Sequence, residues 1–345
     1  MASCTEIHTR SGTCSIRTGS LRSDLQALAA RPESIVLADQ RILELWPDLL
    51  PSARLISLSA GEGLKTLSRV EEIYSHFHDL EADRSSLVIA LGGGTLCDTC
   101  AFAAATWHRG LRFGLVPTTL LAQVDAAIGG KNGVNFRGSK NLIGTIRQPE
   151  FVWCDPEFLR TLPEREFNSG LAEIVKHALI ADADLFSALE RALSISAQSS
   201  SAELSEIIQR SIAIKARIVT EDEQESGPRM LLNFGHTIGH AIESLTGLTH
   251  GEAISIGMLM EARISEQLSC LPAADLKRIE ALLQKFGLPL QASCSGSAIL
   301  EQITHDKKRR QDRIKIPLLR NIGDARLESL ALHEFAGMLA AANTK

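Results

Sequence analysis

The chain has 345 residues, 44% of them hydrophobic, enough to bury full cores and too many for one typical domain, so two domains are expected. Its 36 basic and 41 acidic residues nearly balance, which removes any whole-molecule field for nucleic acid and leaves a small soluble ligand as the expected partner. The stretch MASCTEIHTRSGTCSIRTGS lacks an apolar signal core and no run of about eighteen apolar residues occurs, so no membrane association and a cytoplasmic location are expected.

In chain order, SIVLAD (34–39), ARLISL (53–58), SLVIAL (86–91) and RFGLVP (112–117) read as strands, with helical spacing between several of them, as over 64–82. That alternation predicts a largely parallel sheet covered by helices, an α/β domain over residues 1–163. After about residue 164 the period becomes helical, interrupted by Gly and Pro near 227, 247, 272 and 287. Residues 164–345 are therefore expected to form an all-α domain, with SAQSSSAELS (196–205) as a loop leading into a helix. Seven scattered cysteines read as reduced thiols, and Cys97 and Cys100 of CDTC, lacking a second pair to complete a zinc knuckle, as buried thiols on a helix.

The first chemical signal is IALGGGTLCDTCAFAAATW, a buried strand running through Gly92, Gly93 and Gly94 into a helix. Glycines there let backbone approach a diphosphate at a helix N-terminus, although Cys97 stands where the dinucleotide fingerprint has its third glycine. Asp39, AGEGLK (60–65) and VPTT (116–119) each follow a predicted strand, at the ends where nucleotides gather. LLAQVDAAIGGKNGVNFRGSKNLIG (120–144) carries Asp125, Lys131, Lys140 and Asn141 among glycines, a composition suited to phosphate and also to a solvated loop. In GLAEIVKH, Glu173, Lys176 and His177 lie within little more than a helical turn of otherwise apolar sequence, so the carboxylate needs a partner, and a metal is one. In NFGHTIGHAIESLTGLTHGE, His236 and His240 are i and i+4 on one helix face and His250 opens the next helix. Spacing alone selects His236 and His240 as a metal pair and leaves open that one of the three histidines serves a substrate.

GGGTLCD, VPTTLLAQVDAAIGGKNGVN, GSKNLIG, FLRTLPERE, GLAEIVKHALI, DEQESGPRMLLNFGHTIGHAIE, HGEA and HDKK occur in order and together resemble the 3-dehydroquinate synthase family over about residues 35–325. The resemblance implies a dinucleotide-binding domain joined to a helical one, with NAD and a divalent metal, normally zinc, with cobalt an alternative. It implies Glu173, His236 and His250 as the metal ligands, leaving His240 to face the substrate. For NAD it implies Asp39, Glu62, Lys65, Gly93, Gly94, Thr95, Asp98, Thr118, Thr119, Lys131, Lys140, Phe158 and Thr161. The implied reaction takes a seven-carbon 2-keto sugar acid phosphate to 3-dehydroquinate and inorganic phosphate, with transient oxidation by NAD. Arg229 and Lys215 would then meet the carboxylate and Lys131, Asn141 and Lys307 or Lys308 the phosphate. Lys176, Asn233, His240 and Asp125 would orient hydroxyls and move protons.

The helix after Gly94 carries Arg109 about 20 Å from the glycine loop, at about 1.5 Å per residue. The family nevertheless uses an arginine at this place on the substrate phosphate. Both hold if Arg109 enters a neighbouring subunit's site, which implies a homodimer. Four positions depart from the family pattern: Arg41, Cys97, Asn132 and His177, which bear on NAD affinity rather than on reaction type. Other readings are a sister sugar-phosphate cyclase, an NAD- and metal-dependent polyol dehydrogenase, and a basic binding module resting on DKKRRQDRIK (306–315).

Overall fold

The computed structural model describes residues 3–50, 53–192, 195–197, 199, 201–268, 270–306 and 312–343; Lys307 and Lys308 lie outside them. In chain order the first elements are β1 (Ser3–Thr9), β2 (Gly12–Thr18), α1 (Arg22–Ala29), β3 (Ser34–Asp39), α2 (Gln40–Leu45), β4 (Leu55–Leu58), α3 (Leu67–Asp79), β5 (Leu87–Gly92), α4 (Gly94–Thr106), β6 (Arg112–Pro117), β7 (Lys131–Phe136), β8 (Ser139–Ile146) and β9 (Phe151–Cys154). They are followed by α5 (Glu164–Ala181), α6 (Ala183–Arg191), α7 (Ser201–Glu221), α8 (His236–Leu245), α9 (His250–Gln267), α10 (Ala273–Lys285), α11 (Gly296–Asp306), β10 (Arg313–Asn321), β11 (Asp324–Ala331) and α12 (Leu332–Asn343). The chain divides into two compact units, Met1–Pro163 with Ala197–Glu223, and Glu164–Ser196 with Gln224–Lys345.

The first unit is built on a seven-stranded sheet in the order β1-β2-β9-β6-β5-β3-β4, parallel throughout except for the N-terminal β1–β2 hairpin. The inner strands read as unbroken apolar runs because both faces are covered, and β5 is buried at all six positions. Chain order reverses between β3 and β5, so Asp39 and the glycines after Gly92 both leave the sheet at the switch where such sheets take nucleotides. The four predicted strands are present, β4 shortened to four residues. The hairpins β1–β2 and β7–β8 and the short β9 were not predicted.

The 21-residue α7 packs on β1, on the turn Pro156–Thr161 and on the wide helical turn Ala122–Ala126. A single cut between residues 163 and 164 therefore does not give two contiguous domains, because 197–223 returns to the first unit. Helical periodicity reports which face of a segment is buried, not which core buries it.

In the second unit α9 is buried almost without a break from Gly251 to Ser265, with α5, α8, α10, α12 and β10 all against it. Ile238, Ile242, Ile256, Met260, Ile299, Ile316, Leu318 and Phe335 belong to its core. The helical expectation holds apart from the antiparallel β10–β11 hairpin. Among the described residues no helix is long and apolar enough to cross a membrane.

Candidate active-site residues

Glycines let three helices of the second unit approach closely enough to bring their polar side chains together. A Cβ on Gly257 of α9 would lie 2.0 Å from the Gly235 carbonyl oxygen, and one on Gly251 would lie 2.2 Å from that of Ser169 in α5. Gly235 takes φ +78°, a left-handed conformation natural to glycine, and caps α8 immediately before His236. The buried carboxylate of Glu261 accepts its N–H at 2.7 Å. His250 begins α9 inside a capping box, in which Thr249 Oγ1 accepts from the Glu252 N–H and Glu252 accepts from the Thr249 N–H. Arg165 of α5 grips Glu252 with two hydrogen bonds of 2.8 and 2.7 Å.

These constraints converge on Glu173, which is fully buried. Its Oε1 lies 3.5 Å from His236 Nε2 and 3.3 Å from His250 Nε2. Ligands about 2.0–2.1 Å from a tetrahedral ion stand about 3.4 Å apart, so the three donors are spaced for one divalent metal. The set is one carboxylate and two imidazoles, which leaves coordination positions open for substrate oxygens. Lys176 pairs with Glu173 and is almost wholly buried. Burial works to raise the Glu173 pKa, but Lys176, His236 and His250 together outweigh it and hold the carboxyl well below the usual range. Burial, and then the charge of Lys176, push the His236 pKa far down, which favours the neutral imidazole a metal requires. His236 Nδ1 faces the Phe234 carbonyl at 3.1 Å, and donating to it leaves Nε2 free for an ion. For His250, burial is outweighed by hydrogen bonds to Glu173 and Glu243, and its pKa rises to about 9.

His240, exposed on α8, has its ring 5.1 Å from that of His236 and 5.8 Å from that of His250. Among the described residues, Glu173, His236 and His250 form one possible metal-binding group and His240, Glu243 and His250 another, whereas no group joins His236 to His240 as spacing alone suggested. Glu243 escaped the sequence reading, although His236, His240 and Glu243 follow i, i+4, i+7 on one stripe of α8. In the same unit Arg229 is buried and Asn233 Nδ2 donates to Glu225 Oε1 at 2.6 Å.

The first unit gathers a second set. Lys65 Nζ donates to Asp98 Oδ2 and to Asn141 Oδ1, both at 2.5 Å. The Asn141 N–H donates to Asn135 Oδ1 at 2.9 Å, and Asn135 Nδ2 donates to Glu62 Oε1 at 2.7 Å. Asn135, which the sequence reading also missed, thereby ties the β7–β8 hairpin to the loop after β4. Burial raises the Asp98 pKa against the opposing pull of Lys65 and Lys215. Lys215, carried by α7, reaches Asp125 Oδ1 at 2.7 Å and the Asp125 carbonyl at 2.5 Å.

Gly93 is the extended N-cap of α4, and Thr95 Oγ1 accepts from the Gly61 N–H at 3.4 Å. A Cβ on Gly94 would stand 3.0 Å from that of Ala126, and one on Gly93 would stand 3.2 Å from Thr119 Cγ2. Thr118 follows β6 and its N–H donates to the Gly92 carbonyl. Asp39 caps α2 through the Arg41 N–H at 3.0 Å. Phe158 is buried edge-on against Trp46, whose Nε1 donates to Thr161 Oγ1 at 3.3 Å. Lys131 and Lys140 are exposed on β7 and β8. Arg109 is exposed in a turn at the far end of α4 from Gly93, with φ +65°. Of the departures, Cys97 is fully buried with Sγ 3.5 Å from the Gly92 carbonyl, and Asn132 Nδ2 donates to the Gly130 and Arg147 carbonyls, each at 3.0 Å.

Family models described as 3-dehydroquinate synthase N-terminal and C-terminal match residues 55–169 and 170–309. The chain is 45% identical over 274 residues to the 3-dehydroquinate synthase of a Picosynechococcus species, covering 77% of this chain and 75% of that protein. It is 42% identical over 291 residues to that of Pyrobaculum aerophilum, covering 83% and 84%. Among solved structures, it resembles the 2-epi-5-epi-valiolone synthase ValA of Streptomyces hygroscopicus with NAD+ and Zn2+ bound, with TM-score 0.85, 28% identity and coverage of 95% and 96%. It also resembles a 2-deoxy-scyllo-inosose synthase complexed with carbaglucose-6-phosphate, NAD+ and Co2+, with TM-score 0.83, 26% identity and coverage of 98% and 99%. A probable glycerol dehydrogenase of Sinorhizobium meliloti, at TM-score 0.65 and 14% identity, shares the fold alone.

Proposed function

The chain belongs to the 3-dehydroquinate synthase family, and on that premise we propose a role for each group of side chains described above. The activity is conversion of 3-deoxy-D-arabino-heptulosonate 7-phosphate to 3-dehydroquinate and inorganic phosphate, a carbon–oxygen lyase reaction of aromatic amino acid biosynthesis that uses NAD and a divalent metal. The observation that carries the site assignment is the convergence of His236 Nε2 and His250 Nε2 on one oxygen of the buried Glu173.

Glu173, His236 and His250 hold the metal, zinc or cobalt, as the ions in ValA and the inosose synthase support. When bound, the metal would supply polarisation of neighbouring substrate hydroxyls, and NAD would supply a hydride acceptor that is restored in the same turnover. Asp39, Gly93, Gly94, Thr95, Thr118, Thr119, Phe158 and Thr161 surround the nucleotide, whose diphosphate the α4 N-terminus favours. Glu62, Lys65, Asp98, Lys131 and Lys140 complete its polar contacts. Asp125, paired with Lys215, orients a hydroxyl and takes part in proton movement. Lys215 and Arg229 meet the substrate carboxylate, Arg229 with a planar fork suited to bidentate contact. Lys131, Asn141 and either Lys307 or Lys308 meet the phosphate. Lys176 and Asn233 orient hydroxyls, and His240, the most exposed of the three clustered histidines, moves protons.

A polyol dehydrogenase shares the fold but has no use for so many phosphate-directed lysines. Arg109 acts on the phosphate of a second copy's site, which makes the working unit a homodimer, and its exposed place at the far end of α4 supports that reading. The test is release of inorganic phosphate from the heptulosonate phosphate by purified protein. Release is expected only when both NAD and a divalent metal are present, with 3-dehydroquinate as co-product. Phosphate release undiminished after removal of NAD would refute the proposed chemistry.

A further inference from the structure

His250 is held from both sides of its ring. Nε2 faces Glu173 Oε1 at 3.3 Å, and Nδ1 faces Glu243 Oε2 at 3.4 Å. The two nitrogens point in diverging directions, so an ion held on Nε2 with Glu173 and His236 is out of reach of a carboxylate on the Nδ1 side. An imidazole that binds metal through Nε2 keeps its proton on Nδ1, and Glu243 is placed to accept it. His236 meets the same need with a neutral backbone carbonyl, that of Phe234. Glu243 differs in bringing charge. The charge of Glu173 is already shared with Lys176, so a divalent ion there is under-compensated, and Glu243 adds a second negative charge one ring away. It is held mostly out of water, its side chain 14% exposed, on the α8 stripe that also carries His236 and His240.

We propose that Glu243 is a positioning residue for the metal centre, accepting the Nδ1 proton of His250 so that Nε2 faces the ion and binds it more tightly. This rests on Glu173, His236 and His250 being the metal-holding set. The rival role for Glu243 is as a direct ligand, with His240 and the Nδ1 side of His250, of a separate ion.

Zinc stoichiometry and affinity, measured by chelator competition on full-length E243Q and E243L, separate the two, with visible absorption of the cobalt-loaded proteins as a second readout. Gln keeps an acceptor without the charge, and Leu keeps neither. The expected result is one zinc per chain throughout, bound about 10-fold more weakly in E243Q and about 100-fold more weakly in E243L, with altered cobalt bands in both. If E243L fails to fold, the near-isosteric E243Q carries the test alone. Affinity within twofold of wild type with unchanged cobalt bands in E243Q would overturn the proposal. So would two ions per wild-type chain with one lost in E243Q, which would make Glu243 a ligand. E173Q and H236A are controls on the premise: wild-type zinc binding in either would remove the metal-holding set itself, whatever Glu243 does.

Discussion

At Glu173 one buried oxygen faces two imidazole nitrogens, and the burial of that charge is offset by the paired Lys176. Ala at Glu173, His236 or His250 should strip most bound zinc, whereas His240→Ala should keep near-stoichiometric zinc and lose turnover. Metal analysis of the four purified variants checks this, and zinc loss in His240→Ala with retention in His250→Ala would reverse the roles. The family resemblance implied this ligand set, whereas residue spacing alone showed only part of it. A helical i, i+4 pair is visible within one segment, but Glu173 meets His236 only through the packing of α5, α8 and α9, which no local spacing encodes. Away from the metal, Glu223 illustrates a carboxylate with a structural role. Burial would raise its pKa, but hydrogen bonds from Ser11, Thr9 and Gln148 outweigh that and hold it low. A carboxyl with a depressed folded pKa contributes stability that is present above its unfolded value, about 4.3, and lost as pH falls through the folded one. Glu223→Gln should therefore cost about 1–2 kcal/mol at neutral pH, with the deficit shrinking below about pH 4. Urea unfolding from pH 7 to pH 3 reads this out, and a deficit that stays constant would contradict it.

Among elements, the α8–α9 pair sets the site. With the Gly257 Cβ position 2.0 Å from a backbone oxygen, Gly257→Ala cannot be relieved by a side-chain rotation and must push the helices apart. The expected cost is about 3 kcal/mol or more, together with loss of zinc. Gly247, whose Cβ would meet nothing within 4 Å, is the control, and Gly247→Ala should leave zinc content unchanged. Equal stability and zinc in both variants would show that the close approach does not position the ligands. The parallel strands were legible because β3, β5 and β6 are apolar runs with turn signals after them. The β7–β8 hairpin was not, since its strands interleave glycine, asparagine and lysine, the composition of a phosphate loop. β10 was obscured by the basic run beside it, which drew the reading toward a surface patch.

For the whole molecule, the division into two discontinuous units has a consequence for Lys215: α7 belongs with the sheet and brings that lysine to Asp125. Sequence periodicity placed it in the helical domain. The proposed homodimer is tested by mixing Arg109→Ala with Lys176→Ala, each nearly inactive alone. If Arg109 serves a partner's site, each heterodimer has one site lacking both groups and one intact. With half the dimers mixed after random exchange, recovery should approach about a quarter of wild-type activity. No recovery despite demonstrated exchange would confine Arg109 to its own subunit. The central claim is that NAD is used and restored within each turnover, which separates this chemistry from that of the dehydrogenases that share the fold. The direct measurement is NADH absorbance followed alongside phosphate release over many turnovers of the heptulosonate phosphate. Phosphate should accumulate far beyond the enzyme concentration while NADH stays no higher than the enzyme itself. Steady growth of NADH in step with substrate loss would contradict the account.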